Sequence, residues 1–240
     1  MARLRIFAGP NGSGKSSLYS RLVDAGHFHR SIYINADEIQ AGLASSQAVS
    51  FPFDHERRFF ELLRKSPFLG HGLSEEAIAH IEGSPSHGLK LAKGAESGGY
   101  LAAAIAGAIR TLCVEEGKSF AFESVMSHPS KLGLLEEAHL HGFRNYLYFV
   151  TTENPDLNVE RVRQRMKEGG HPVSEGKIRQ RYARSMSLMG DAIARSDRAY
   201  LFDNSGPETI LVASVNGGHR LTIESDIVPS WLAAMIHALG

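Results

Sequence analysis

Cysteine is nearly missing from this chain. Cys113 is the single one among 240 residues, so no internal disulfide can form. It lies in the run Ile109-Arg110-Thr111-Leu112-Cys113-Val114 and reads as a core residue of a helix. An excess of one charge is missing too. Lys+Arg and Asp+Glu both number 26, which leaves no global basic field to draw the protein onto nucleic acid. Aromatics reach only 8%, and no basic–aromatic stripe is visible outside one arginine-rich stretch, so nucleic acid is not an expected partner. The longest apolar run, near Tyr100 to Ala108, is too short and too glycine-broken to span a bilayer. The chain enters its first strand without a signal-like segment, so the expectation is a cytoplasmic protein with no membrane partner. The 12 histidines are scattered and form no C-x-x-C or H-E-x-x-H pattern; His128 and His171 read as makers of local polar contacts.

What is present points to an α/β protein. Ile6, Phe7 and Ala8 end a short buried strand, and Gly9-Pro10-Asn11-Gly12-Ser13-Gly14-Lys15-Ser16 follows. A helix-compatible run from Ser17 to Leu22 comes next. This satisfies G-x-x-x-x-G-K-[ST] in the strand–loop–helix setting that a phosphate loop requires. Glycines let successive N–H groups turn inward toward an anion, and the helix aims its positive end at the same place. Lys15 is expected to reach the β- and γ-phosphates, and the Ser16 hydroxyl to hold Mg²⁺. ATP is the expected ligand.

Further along, strands alternate with helical periods, which argues for parallel pairing through right-handed crossovers. Strands are read at 31–35, 119–122, 144–150 and 198–202, with long helices at about 96–116, 129–141, 158–167 and 174–195. The expected fold is a P-loop NTPase/kinase-like three-layer α/β/α domain over 1–240, with a mainly parallel five-stranded sheet. Residues 44–94 read as a helical insertion with helices at 55–65 and 74–81. Residues 158–195 read as a lid. Residues 207–240 read as a β-hairpin and an amphipathic helix holding Trp231, Met235 and Ile236.

Two carboxylates and a cluster of arginines carry the remaining chemistry. Asp37 and Glu123 each end a predicted strand, at the sheet edge where open α/β folds bind ligands. Asp37 suits the base that takes a proton from an acceptor hydroxyl; the competing reading is an N-cap for the helix starting at Glu38. Glu123 reads as a holder of acceptor groups, a support for the Mg²⁺ shell through water, or an ordinary loop carboxylate. Between 161 and 184 stand eight basic residues, among them Arg161, Arg163, Arg165, Arg179, Arg181 and Arg184, against Glu168 and Glu175 alone. Two helices around Gly169-Gly170-His171-Pro172 suit a lid that neutralises a transferring phosphoryl group and expels water. A solvated basic face is the plainer reading. Arg161 and Arg165 share a helix face while Arg163 points elsewhere.

Taken in order, Gly9 to Ser17, Ile34-Asn35-Ala36-Asp37-Glu38-Ile39, Phe120-Ala121-Phe122-Glu123-Ser124, Asn158 to Arg184 and Phe202-Asp203-Asn204-Ser205-Gly206 resemble the zeta-toxin family of P-loop kinases. The resemblance covers about two thirds of the chain. It implies ATP-dependent phosphorylation of a hydroxyl on UDP-N-acetylglucosamine or a similar sugar nucleotide. It also implies an ATP site made by Gly9, Pro10, Asn11, Gly12, Ser13, Gly14, Lys15, Ser16 and Ser17, with Asn204 and Ser205 near the adenine. Asp37 would be the acceptor base, Glu123 and Ser124 would line the acceptor pocket, and Arg165 and Arg181 would be the lid arginines. In that lid pair Arg179 is an alternative to Arg181, and Arg161 or Arg163 to Arg165. An antitoxin protein, or the 44–94 insertion acting in cis, is the inhibitory partner the resemblance implies. Two rival readings stay open: a kinase for another metabolite, a nucleoside or a nucleic-acid end, and a nucleotide-gated interaction module.

Overall fold

The computed structural model describes residues 1–28, 32–45, 47–95, 97–168 and 173–239. The glycine-rich break at 169–172 expected between the lid helices lies outside them. In chain order the elements are β1 (Arg3–Ala8), α1 (Lys15–Asp24), β2 (Ile32–Ile34), α2 (Ala36–Ala44), α3 (Glu56–Arg64) and α4 (Glu75–Ala79). Then come β3 (Ile81–Glu82), β4 (Lys90–Leu91), α5 (Gly99–Glu115), β5 (Phe120–Ser124), α6 (Ser130–Leu140) and β6 (Arg144–Thr151). The chain closes with α7 (Pro155–Lys167), α8 (Glu175–Ala194), β7 (Arg198–Asp203), β8 (Ile210–Asn216), β9 (Arg220–Ile223) and α9 (Ser230–Leu239). These elements form two compact units, one of residues 1–30 with 121–240, the other of residues 31–120.

In the first unit the strands lie in the order β5-β1-β6-β7-β8-β9. β1 pairs parallel with β6, and β6 parallel with β7. The C-terminal hairpin, expected as a separate extension, instead continues this sheet: β8 runs antiparallel beside β7, and β9 antiparallel beside β8. Pairing in this way satisfies the backbone groups that β7 would otherwise leave open at an edge. One sheet face is fully buried through Leu4, Ile6, Leu147, Phe149, Ala199, Leu201 and Ala213. Leu135 of α6 and Met189, Ala192 and Ile193 of α8 are buried as well. Each of the larger side chains among these contributes roughly 1.5–3 kcal/mol of transfer free energy, so this face holds the unit's core.

The second unit is built on α5, against which α2 and α3 pack. Four of its five alanines, Ala102, Ala104, Ala106 and Ala108, are buried, and such short side chains permit close helix approach. Ile39 and Leu43 of α2, with Phe59 and Leu63 of α3, supply buried bulk. Cys113 is fully buried in α5, and burial pushes its thiol up to about 12. The segment read as a helical insertion is mixed: after α4 come β3 and β4, an antiparallel ribbon pairing Ile81 with Leu91. Two-residue strands are too short to leave a period in the sequence.

Candidate active site

The phosphate loop lies where β1 gives way to α1. Gly9, Gly12 and Gly14 have φ of +138°, +76° and +97°, a region that costs other residues strain. Close packing makes the same demand. A Cβ on Gly9 would fall 1.9 Å from the Val150 carbonyl oxygen, on Gly12 2.7 Å from that of Asn158, and on Gly14 2.4 Å from the Asn204 amide nitrogen. The loop is therefore held on three sides, by β6, by α7 and by the segment after β7. Its start is tied to β5, because the Gly9 N–H donates to the Ser124 carbonyl at 3.2 Å.

The loop's polar groups suit an anion. Lys15 is 9% exposed, and its Nζ donates to the carbonyls of Gly9 at 2.9 Å and Pro10 at 2.8 Å. The Ser13 hydroxyl is buried without a hydrogen-bond partner, an arrangement that costs about 1–3 kcal/mol unless something binds it. The N-cap of α1 is Gly14, which makes no side-chain cap bond, so the first-turn N–H groups are not satisfied by a capping side chain. Ser16 and Ser17 are exposed in the first turn. The donor set fits phosphate oxygens, and Ser16 is open to a cation beside them.

From α7, Asn158 is fully buried and reaches the loop: its Nδ2 donates to the Asn11 carbonyl at 2.6 Å, and its Oδ1 accepts from the Thr152 hydroxyl. One turn on, Arg161 donates to the Asn204 carbonyl at 2.7 Å. From α8, Arg181 Nη1 donates to the Asn11 Oδ1 at 3.4 Å. Arg165 is exposed one turn beyond Arg161 on the same side of α7. Arg163 and Arg179 are engaged elsewhere. Arg163 pairs with Glu175 at 2.6 Å, and Arg179 with Asp156 at 2.6 Å and Glu175 at 2.8 Å. The hydrogen bond from Arg179 lowers the Glu175 pKa. Val159, Val162 and Ile178 form a small buried cluster with Val173 packed against it, so α7 and α8 are docked on each other.

The other expected site residues are placed as follows. Glu123 and Ser124 fall inside β5, at its last two positions. The Ser124 hydroxyl accepts from the Met126 N–H at 3.0 Å and steadies a residue with φ of +52°. Asn204 spends its amide on the loop: Nδ2 donates to the Ser13 carbonyl at 2.8 Å, while Oδ1 accepts from the Thr209 hydroxyl at 2.9 Å. Ser205 accepts from the Glu153 N–H at 2.7 Å and donates to Asp203 at 3.1 Å. In the second unit, the helix starting beside Asp37 is capped by Asn35, whose Oδ1 accepts from the Asp37 N–H at 2.9 Å. The N-cap reading of Asp37 is thereby corrected. Its own carboxylate is exposed in the first turn of α2.

Sequence reasoning gave no role to Asn158, Asp203 or Trp231. Asp203, 9% exposed, accepts from the Trp231 indole N–H at 2.7 Å and from the Ser205 N–H at 2.9 Å. The available signal for Asn158 was a polar residue on the face shared by Val162, where a purely apolar stripe would be expected.

No protein-family model and no curated protein matches the sequence. Solved structures do match. A structure of AvrRxo1-ORF1:-ORF2 with ATP is similar over 100% of this chain and 63% of the matched chain, at 17% identity and a TM-score of 0.57. The chain thus spans less than two thirds of that protein. The same complex with sulphate ions gives a TM-score of 0.55. A structure of the PezAT chromosomal toxin-antitoxin system of Streptococcus pneumoniae is similar over 87% of this chain and 72% of the matched one, at 12% identity and a TM-score of 0.50. The shared property is the fold.

Proposed function

We propose that this protein is an ATP-dependent kinase that transfers the γ-phosphoryl group to a hydroxyl of a small molecule, a sugar nucleotide such as UDP-N-acetylglucosamine. The observation that carries the reading is the loop itself: three glycines packed at positive φ around a buried, unpartnered Ser13 hydroxyl, with Lys15 and Arg181 reaching the same loop. A bound ATP in the similar AvrRxo1-ORF1:-ORF2 structure supports the choice of nucleotide. The toxin–antitoxin setting of the PezAT structure supports an antitoxin-type protein as partner.

In this reading Lys15 exchanges its two carbonyl partners for β- and γ-phosphate oxygens, and Ser13 donates to a phosphate oxygen. Ser16 would hold Mg²⁺, which when bound offsets phosphate charge. Arg181 and, beyond Arg161, Arg165 are the guanidinium groups that neutralise the transferring phosphoryl. The acceptor O–H gives its proton to Asp37 as its oxygen bonds to the γ-phosphorus, and the bond from that phosphorus to the β-bridging oxygen breaks to release ADP. Glu123 and Ser124 hold the acceptor, and Asn204 and Ser205 lie near the adenine. The role of Asp37 rests on the sequence motif. Asp37→Ala is expected to retain ATP binding by calorimetry and to lose phosphoryl transfer to a sugar-nucleotide panel read by mass spectrometry. Unchanged turnover would remove Asp37 from the mechanism.

A further inference from the structure

The sheet face opposite the buried one assembles something the linear sequence does not display. Strand register sets two rows of side chains straight across the first unit. In one row Arg5 pairs with Tyr146, Tyr146 with Arg198, Arg198 with Asn216 and Asn216 with Arg220. In the next, Phe7, Tyr148, Tyr200, Ser214 and Thr222 follow one another in the same way. Directly opposed residues share a face, so guanidinium groups and rings alternate on one surface.

The rings of the second row stack. Phe7 and Tyr148 are 4.7 Å apart at 7°, and Tyr148 and Tyr200 5.2 Å apart at 25°. Phe7 is fully buried, Tyr148 and Tyr200 are half-buried, and Thr222 is exposed. The stack therefore emerges toward β8 and stops at Tyr200. Beyond it stand Ser214 and Thr222, whose short side chains leave room for another planar group. Arg198, Asn216 and Arg220 are all exposed beside this position. Two intervening strand spacings put the backbones of Arg198 and Arg220 about 10 Å apart. Glu224 accepts from the Ser214 hydroxyl at 2.6 Å; a carboxylate there suits the amino edge of a base and disfavours a bare polyanion.

The geometry points to a binding face for single-stranded nucleic acid, with a base stacked on Tyr200 over Ser214 and Thr222 and the backbone phosphates on Arg198 and Arg220. Stacking plus arginine–phosphate pairing is how sheet surfaces hold unpaired strands. The face is made of residues of β7, β8 and β9, none of which belongs to the phosphate site, and it is independent of the phosphotransfer reading.

A short fluorescein-labelled oligodeoxycytidine, titrated by polarisation with ATP saturating the loop, tests this. Binding should weaken as salt rises. Arg198→Glu with Arg220→Glu should reduce affinity and flatten the log–log salt slope by about 1.4, the value for two lost single-strand phosphate contacts. Tyr200→Ala should cost about tenfold and leave that slope unchanged. Arg198→Lys, which keeps the charge, should retain binding, and thermal melts of all variants check folding. Absence of saturable binding, or equal binding by every variant, would overturn the proposal. So would a neutral Tyr200→Ala together with equal competition by heparin or polyglutamate, because the face would then serve an acidic protein segment.

Discussion

Asn158 shows how one side chain joins two elements at the site. Its amide satisfies the Asn11 carbonyl with one end and the Thr152 hydroxyl with the other, inside a fully buried position. Truncation orphans the Asn11 carbonyl and leaves the Thr152 hydroxyl only the Asn154 carbonyl at 3.0 Å, and a buried polar group left unpaired costs about 1–3 kcal/mol. Asn158→Ala is therefore expected to lower the urea midpoint by that much stability and to raise KM for ATP; a variant as stable as the parent would show that the loop does not need this brace. The turn from β1 through Gly9, Gly12 and Gly14 into α1 was legible beforehand because its pattern is local: glycines, lysine and serine must follow one another in sequence. Asn158 was not, since its partner Asn11 lies far away along the chain. Arg161 and Arg165 were indistinguishable for the same reason, being one helical turn apart on a shared face.

Among elements, α9 is joined to the site by a chain of short contacts. Trp231 donates to Asp203, the Ser230 N–H donates to Glu153 at 3.1 Å, and Glu153 donates its own N–H to Ser205. The next residue after Asp203 is Asn204, which holds the loop through Ser13. Trp231→Phe keeps most of the apolar bulk and removes one donor from a buried carboxylate. It should cost about 1–3 kcal/mol in a chemical melt and weaken ATP binding more than it affects turnover at saturation. Equal loss in both would assign the contact to general stability instead. Helices and strands of ordinary length were placed within a few residues, because their periods extend over whole turns. The hairpin's membership of the sheet could not be seen that way: β8 joins β7 through a register that only three-dimensional pairing defines.

For the whole molecule, ligand binding and folding are linked. A ligand present at a hundred times its Kd adds about 2.7 kcal/mol, and each kcal/mol moves Tm by about 2–4 °C for a chain of this size. ATP should therefore raise Tm by several degrees, and Lys15→Ala should abolish the rise relative to its own ligand-free melt; an equal rise in the variant would place the nucleotide elsewhere. The same molecule carries a single tryptophan. All of its red-edge ultraviolet emission therefore originates from one indole, seated against the Asp203 carboxylate beside the residue that braces the nucleotide loop. The wavelength of that emission reads whether the last helix is in its seat, with no dye attached.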